Sequence, residues 1–167
     1  MTSPFVAILM GSDSDLPVMQ ATITILKQFD ITHEVRVRSA HRTPEAAKAY
    51  VKDAEERGCK VFICAAGLAA HLAGAVAGMT TRPVIGVPVD CGPLQGHDAL
   101  LSTVMMPGGI PVATVAIGKA GAKNAGYLAA QILGVADQSV ADKVKAERAA
   151  NAKALLAKDE AMQAKLS

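Results

Sequence analysis

Apolar and polar positions alternate along this chain in blocks rather than residue by residue. Apolar runs fall at Phe5–Met10, Val35–Val37, Val61–Ala66, Val84–Val89 and Val112–Ile117. Several are continuous, the pattern of parallel strands covered on both faces. Between them lie helical candidates at Leu16–Phe29, Pro44–Arg57, Ala70–Met79, Asp98–Met105 and Ala122–Leu133, with Gly58 as a stop for the second. No repeat or linker divides the series. After Leu133 the pattern changes. Residues 137–167 are rich in Ala, Lys, Glu and Asp and predict one or two helices. Their apolar stripe is thin, running through Val140, Val144, Leu155 and Met162.

The βα alternation predicts an α/β domain: a three-layer, doubly wound parallel sheet. Five strands suggest flavodoxin-like topology, with the C-terminal helical segment as an extension. We read residues 1–136 as the flavodoxin-like domain and 137–167 as a helical tail of the same unit. A helix with so thin a stripe gains little from its own domain. It either packs on a neighbouring subunit or frays, and we take the first.

Composition narrows the class. With 167 residues, 51% of them hydrophobic, the chain can bury a substantial core. Seventeen Lys and Arg against 15 Asp and Glu give no surface-wide field to draw nucleic acid or an anionic membrane. No apolar run reaches the ~18–20 residues of a spanning helix. The N-terminus MTSPFVAILMGSDSD has no basic n-region and enters a strand, so a signal peptide is not expected. Cys59, Cys64 and Cys91 fit reduced thiols of a cytoplasmic protein, the first two buried and the third in a loop. No His, Cys, Asp or Glu cluster has metal-ligand spacing.

In this architecture ligands bind beyond the carboxyl ends of the strands. Those ends carry GSDSD, SAHRTPE, AAGLAAHLAG, PVDCGPLQG and IGKAGAKNAG. Each is rich in small residues that let backbone approach a ligand. In the first, Gly11 permits a tight turn, Ser12 offers a hydroxyl, and the following helix points free N–H groups at an anion. Ordinary capping by Ser14 or Asp15 would also explain that stretch. His41 lies between a strand and a helix that Pro44 can open, and Arg42 beside it can grip a phosphate bidentately. His71 lies near the start of a small-residue helix, whose N-terminus disfavours an imidazolium. The bland alternatives are a solvated loop histidine, a surface arginine and a hydrogen-bonded structural histidine. His33 and His97 read as surface residues.

Known phosphate signatures are missing. There is no GxxxxGK[ST], and no GxGxxG follows a strand. A receiver domain would need an Asp after the third strand, where this chain has AAGLAAH. A flavodoxin would want aromatic rings, which make up only 3% here. Fold likeness to these proteins carries no function with it.

Taken in order, MGSDSDLPVM, SAHRTPE, AAGLAAHLAG, PVIGVPV, MPGGIPVATVAIG and AKNAGYLAAQIL closely resemble class I 5-(carboxyamino)imidazole ribonucleotide mutases of purine biosynthesis. The likeness runs from about Val6 to Leu133. SAHRTP and AAHL are specific in combination; GSDSD alone is not. The resemblance implies an enzyme that moves a carboxylate from an exocyclic nitrogen to C4 of an aminoimidazole ribonucleotide, without metal, ATP, biotin or other cofactor. It implies that Ser12 and Arg42 hold the 5′-phosphate with help from Ser39, and that Asp15 accepts from ribose hydroxyls. His41 would be the proton carrier. The loop Gly67–Leu72, with Ala70 and His71, would enclose the base and the migrating carboxyl. An octamer is implied, with MPGG near a neighbour's ligand.

An imidazole can give and take a proton near neutral pH, so one histidine could protonate the carbamate nitrogen and later remove the C4 proton. A closed loop would keep carbon dioxide from escaping between the two steps. The chain departs from the family pattern at Ala73, where Pro is usual, at Leu68, where Gly is common, and at Met105, where Gln is frequent. The stretch DCGPLQGHDA around Cys91 and His97 is also unusual. The competing readings are a carboxylase using free carbon dioxide, against which Arg42 stands because that class more often reads SAHK, a carboxylase of this fold acting on another nucleotide, and a non-catalytic nucleotide-binding module.

Overall fold

The computed structural model describes residues 4–166. Among them, five strands form one parallel sheet: β1 (Phe5–Met10), β2 (His33–Val37), β3 (Cys59–Ala66), β4 (Val84–Pro88) and β5 (Ala113–Thr114). Their order is β2-β1-β3-β4-β5, the flavodoxin-like order. The helices are α1 (Leu16–Gln28), α2 (Pro44–Glu56), α3 (Leu72–Ala77), α4 (His97–Val104), α5 (Gly118–Gly134) and α6 (Gln138–Leu166).

The strand period of two sorts side chains into two cores. Val6, Ile8 and Met10 of β1 face Met19, Ile23 and Leu26 of α1 and the small residues Ala122, Ala125 and Ala129 of α5. Phe5, Ala7 and Leu9 face the other way, onto Tyr50, Val51 and Ala54 of α2 and Leu72 and Val76 of α3. Every residue of β1 is therefore buried, which explains its unbroken apolar run. Where β3 starts, the register slips: Phe5 lies opposite Cys59 but Val6 opposite Val61. The slip lets Lys60 turn out to solvent. Cys59 and Cys64 are buried, and burial pushes the Cys59 thiol up to about 11 and the Cys64 thiol higher still. Both are packing residues with no thiolate at neutral pH.

Several boundaries differ from the sequence expectation. β5 covers two residues rather than Val112–Ile117, because it is an edge strand paired only to β4, through Ile85–Ala113 and Gly86–Thr114. α5 starts at Gly118, four residues before the predicted Ala122, and Gly118 takes a left-handed φ of 72° against Asp90. α3 spans only Leu72–Ala77 instead of Ala70–Met79. The Ala70 amide is turned to a side chain of α4 rather than into a helix.

The tail is a single helix. Asp137 caps it, accepting from the amides of Ser139 and Val140 and from the Ser139 hydroxyl. Its apolar stripe divides in two. Val140 is buried in the α1/α5 core and Val144 packs against that core. Leu155, Leu156, Met162 and Leu166, further along, are all exposed. No helix among the described residues is long and apolar enough to cross a membrane.

Candidate active site

In the 2-1-3-4-5 order the chain reverses direction across the sheet between β1 and β3, and loops from adjacent strands part there. Beyond those strand ends lies a cavity of about 540 Å³. Gly11, Ser12 and Asp15 come from the end of β1, Ser39, His41 and Arg42 from the end of β2, and Gly67, His71 and Leu72 from the end of β3. Eight of the nine candidate residues read from the sequence therefore line one cavity. The ninth, Ala70, lies behind the wall, 2% exposed.

The β1 turn is built as a capping box. Ser12 Oγ accepts from the Ser14 amide at 3.3 Å, and the Asp15 carboxylate accepts from the Ser12 amide at 3.1 Å. The cap is thus Ser12 paired with Asp15, around a single 3₁₀ turn, Asp13–Asp15. Asp15 is buried, and burial lifts its carboxyl above the ordinary aspartate value against the pull of the Ser12 and Gly11 amides and the Arg42 charge. A buried carboxylate aimed into a polar cavity suits a ligand that brings hydroxyl donors.

The β2 turn is pinned by Ser39 and Thr43. Ser39 Oγ accepts from the Arg42 amide at 3.1 Å, while Thr43 Oγ1 accepts from the Ser39 amide at 3.0 Å. Pro44 then opens α2 at its first turn. The Ser39 hydroxyl keeps its own proton available for a ligand. The Arg42 guanidinium crosses to the β1 loop and donates to the Gly11 carbonyl at 2.9 Å. That contact holds its charge over the Ser12 turn.

His41 and His71 are both exposed to the cavity. His41 Nε2 lies 2.8 Å from His71 Nδ1, with the rings nearly perpendicular at 83°. One of these two nitrogens must donate and the other accept, so the pair shares a proton. His33 and His97 lie elsewhere, each with Nδ1 at a nearby backbone carbonyl, of Ile31 and Leu94 respectively.

Sequence reasoning missed Cys91 as a wall of this cavity. A Cβ on Gly67 would run into the Cys91 sulfur, so any larger residue at 67 would force the Cys91 side chain to move. The available signal was position, since Cys91 stands just beyond β4 at the ligand-binding end. Leu68 takes a left-handed φ of 55° and is half exposed over Gly92. Ala73 is buried against the β3 face. Met105 is far out in solvent at 79% exposure. No group of three or more His, Cys, Asp or Glu among the described residues is placed to hold a metal ion.

Residues 5–154 match the family model described as AIR carboxylase. The chain is 58% identical over 142 residues to the N5-carboxyaminoimidazole ribonucleotide mutase of Thermotoga maritima, covering 85% of this chain and 82% of that one. It is 53% identical over 152 residues to the protein of the same name from Vibrio parahaemolyticus, covering 91% and 94%. Its structure superposes on the crystal structure of Treponema denticola PurE with a TM-score of 0.86, at 34% identity, over 95% of this chain and 98% of that one.

Proposed function

We infer the reaction from a premise of kinship: the chain belongs to the AIR carboxylase family, and relatives more than half identical to it bear the name N5-carboxyaminoimidazole ribonucleotide mutase. It is an isomerase of purine biosynthesis. It converts N5-carboxyaminoimidazole ribonucleotide to 4-carboxy-5-aminoimidazole ribonucleotide by moving the carboxylate from nitrogen to C4. The observation that carries the site reading is the bonded pair His41–His71, in the same cavity as Ser12, Asp15 and Arg42.

In this reading the Arg42 guanidinium and Ser12, with Ser39 and backbone N–H groups, hold the 5′-phosphate. Asp15 accepts from the ribose, a role phosphate would deny to a carboxylate. Gly67, Ala70 and Leu72 shape the wall around the base. His41 gives its proton to the carbamate nitrogen, and the N–CO₂ bond breaks to release carbon dioxide. The electron-rich C4 attacks the trapped molecule, and the C4 proton then returns to the imidazole, so the proton count closes on one group. His71 can exchange that proton with His41 across their hydrogen bond.

We further propose a homo-octamer working in the cytoplasm, with residues beyond about 151 packed on a neighbour. The exposed row Leu155, Leu156, Met162 and Leu166 supports this, as do exposed Leu101, Val104, Met105 and Ile110 around the MPGG turn. Nothing within 4 Å would meet a Cβ at Gly108 or Gly109, so that turn is open on this chain and free to approach a neighbour's ligand. The activity is tested by supplying purified protein with the carbamate ribonucleotide, without ATP or metal, and separately with aminoimidazole ribonucleotide and bicarbonate. Turnover of the first and not the second is expected. The reverse preference would make the enzyme a carboxylase, and binding without turnover a nucleotide-binding module.

A further inference from the structure

The loop Gly67–His71 is made of small residues apart from Leu68 and His71, and has little of its own to hold it. Its anchor comes from α4, 32 residues on: the Ala70 amide donates to Ser102 Oγ at 2.9 Å. The Ser102 hydroxyl donates to the Asp98 carbonyl at 2.6 Å, which leaves a lone pair for the amide. The Ala99 and Leu68 carbonyls, 3.3 and 3.4 Å from the same oxygen, are weaker claimants for the one hydroxyl proton. Thr103 next door donates at 2.7 Å to the Ala99 carbonyl of its own helix, and the Ala70 carbonyl, 3.4 Å from the same hydroxyl oxygen, is a weaker second contact to the loop. Ser102 thus meets the loop at the residue before His71. The loop needs such a fixing point, since Leu68 sits in a left-handed conformation that a residue with a Cβ seldom adopts unaided.

We propose that Ser102 is a positioning residue for the reaction: its hydroxyl fixes the Ala70 amide and thereby holds the His71 ring within hydrogen-bond reach of His41. The proposal rests on reading that histidine pair as the proton-carrying group. A contact of 2.8 Å between two rings tolerates a shift of only a few tenths of an ångström before it weakens. Ser102 does little for α4 itself. Its bond to Asp98 lies outside the helix ladder, and alanine is the better helix former. Ser102→Ala therefore removes an acceptor from the Ala70 amide while leaving α4 able to form.

The test compares parent, Ser102→Ala and Ser102→Thr by steady-state kinetics across pH, and by NMR of the His41 and His71 ring nitrogens without ligand. In Ser102→Ala, kcat should fall about 3- to 10-fold, KM should stay within about twofold, the inflection of the kcat–pH profile should move, and the His71 ring signals should shift. Ser102→Thr, which keeps the hydroxyl, should recover most of kcat. Parental kcat and ring signals in Ser102→Ala would overturn the proposal, and so would a defect confined to KM. If Ser102→Ala does not fold, Ser102→Thr decides alone: parental ring signals and kcat are required, and their loss in a folded variant overturns the proposal. A parent protein without mutase turnover but with ring signals that move in Ser102→Ala would remove the functional reading and leave the Ser102 anchor standing.

Discussion

His41 Nε2 and His71 Nδ1 share a hydrogen bond of 2.8 Å across two loops that are 30 residues apart in sequence. The sheet order makes this possible. β2 and β3 flank β1, so the loops that follow them converge over the end of β1, and each brings one imidazole. A ring that has given up its proton can recover one from the other without waiting for solvent.

His41→Asn tests which ring carries the proton. An amide keeps similar size and can still hydrogen-bond to His71, but it cannot titrate near neutral pH. Ribonucleotide affinity should change little, because phosphate and ribose contacts are made by other residues. Turnover should fall by about 10²–10⁴-fold. A variant retaining more than roughly a tenth of parental kcat would pass the role to His71.

Arg42→Ala should weaken ribonucleotide binding by about tenfold or more, the worth of one charge-assisted contact at about 1.5–3 kcal/mol. The variant also loses the 2.9 Å contact to the Gly11 carbonyl that holds the guanidinium over the Ser12 turn. Calorimetry with the product nucleotide measures the loss. Unchanged affinity would take Arg42 out of the phosphate site.

Asp15 makes a pH-dependent prediction. Burial raises its folded pKa above the ordinary aspartate value. Stability from this group is therefore complete below pH about 3.9 and is lost as pH rises through the elevated folded value. Asp15→Asn keeps an oxygen to accept from the Ser12 amide but carries no charge. It should melt higher than the parent at pH 7, with the gap closing below pH about 4, while losing ribonucleotide affinity. A melting temperature lowered equally at both pH values would contradict this, because the Asp15 side chain would then stabilise the fold whatever its charge.

The tail can be divided at Asn151. A chain ending there keeps Val140 and Val144 on the core and the 3.2 Å contact between Tyr127 and Glu147, and loses the exposed Leu155, Leu156, Met162 and Leu166. It should stay folded and form smaller assemblies by light scattering. An octamer of undiminished melting temperature would mean that these leucines face only water.

The parallel sheet was legible because strands covered on both faces must be apolar throughout, as β1 is. Ser12, His41 and His71 could be placed near the site because in a doubly wound fold the chemistry gathers where strands end, and their roles came only from the likeness to the mutase family. What could not be read depended on contacts distant in sequence. That Ser102 would accept from Ala70, that Cys91 would fill the space above Gly67, and that Asp15 would be buried all follow from how loops meet, and none leaves a periodic trace. The tail misled in part. Val140 and Val144 look no different in sequence from Leu155 and Met162, yet only the first two reach the core, because α5 ends at Gly134 and α6 turns back across it before running on alone.

If the carboxyl group that leaves nitrogen is the one that joins C4, it must be held in the cavity between the two bonds. The direct measurement is turnover of ribonucleotide labelled with ¹³C in the carbamate, in excess unlabelled bicarbonate, with the label followed by NMR into the C4 carboxylate. Most of the label should be retained in the product. Product carrying carbon at the isotopic ratio of the surrounding bicarbonate would contradict it, because the carbon dioxide would then have left the site before C4 captured it.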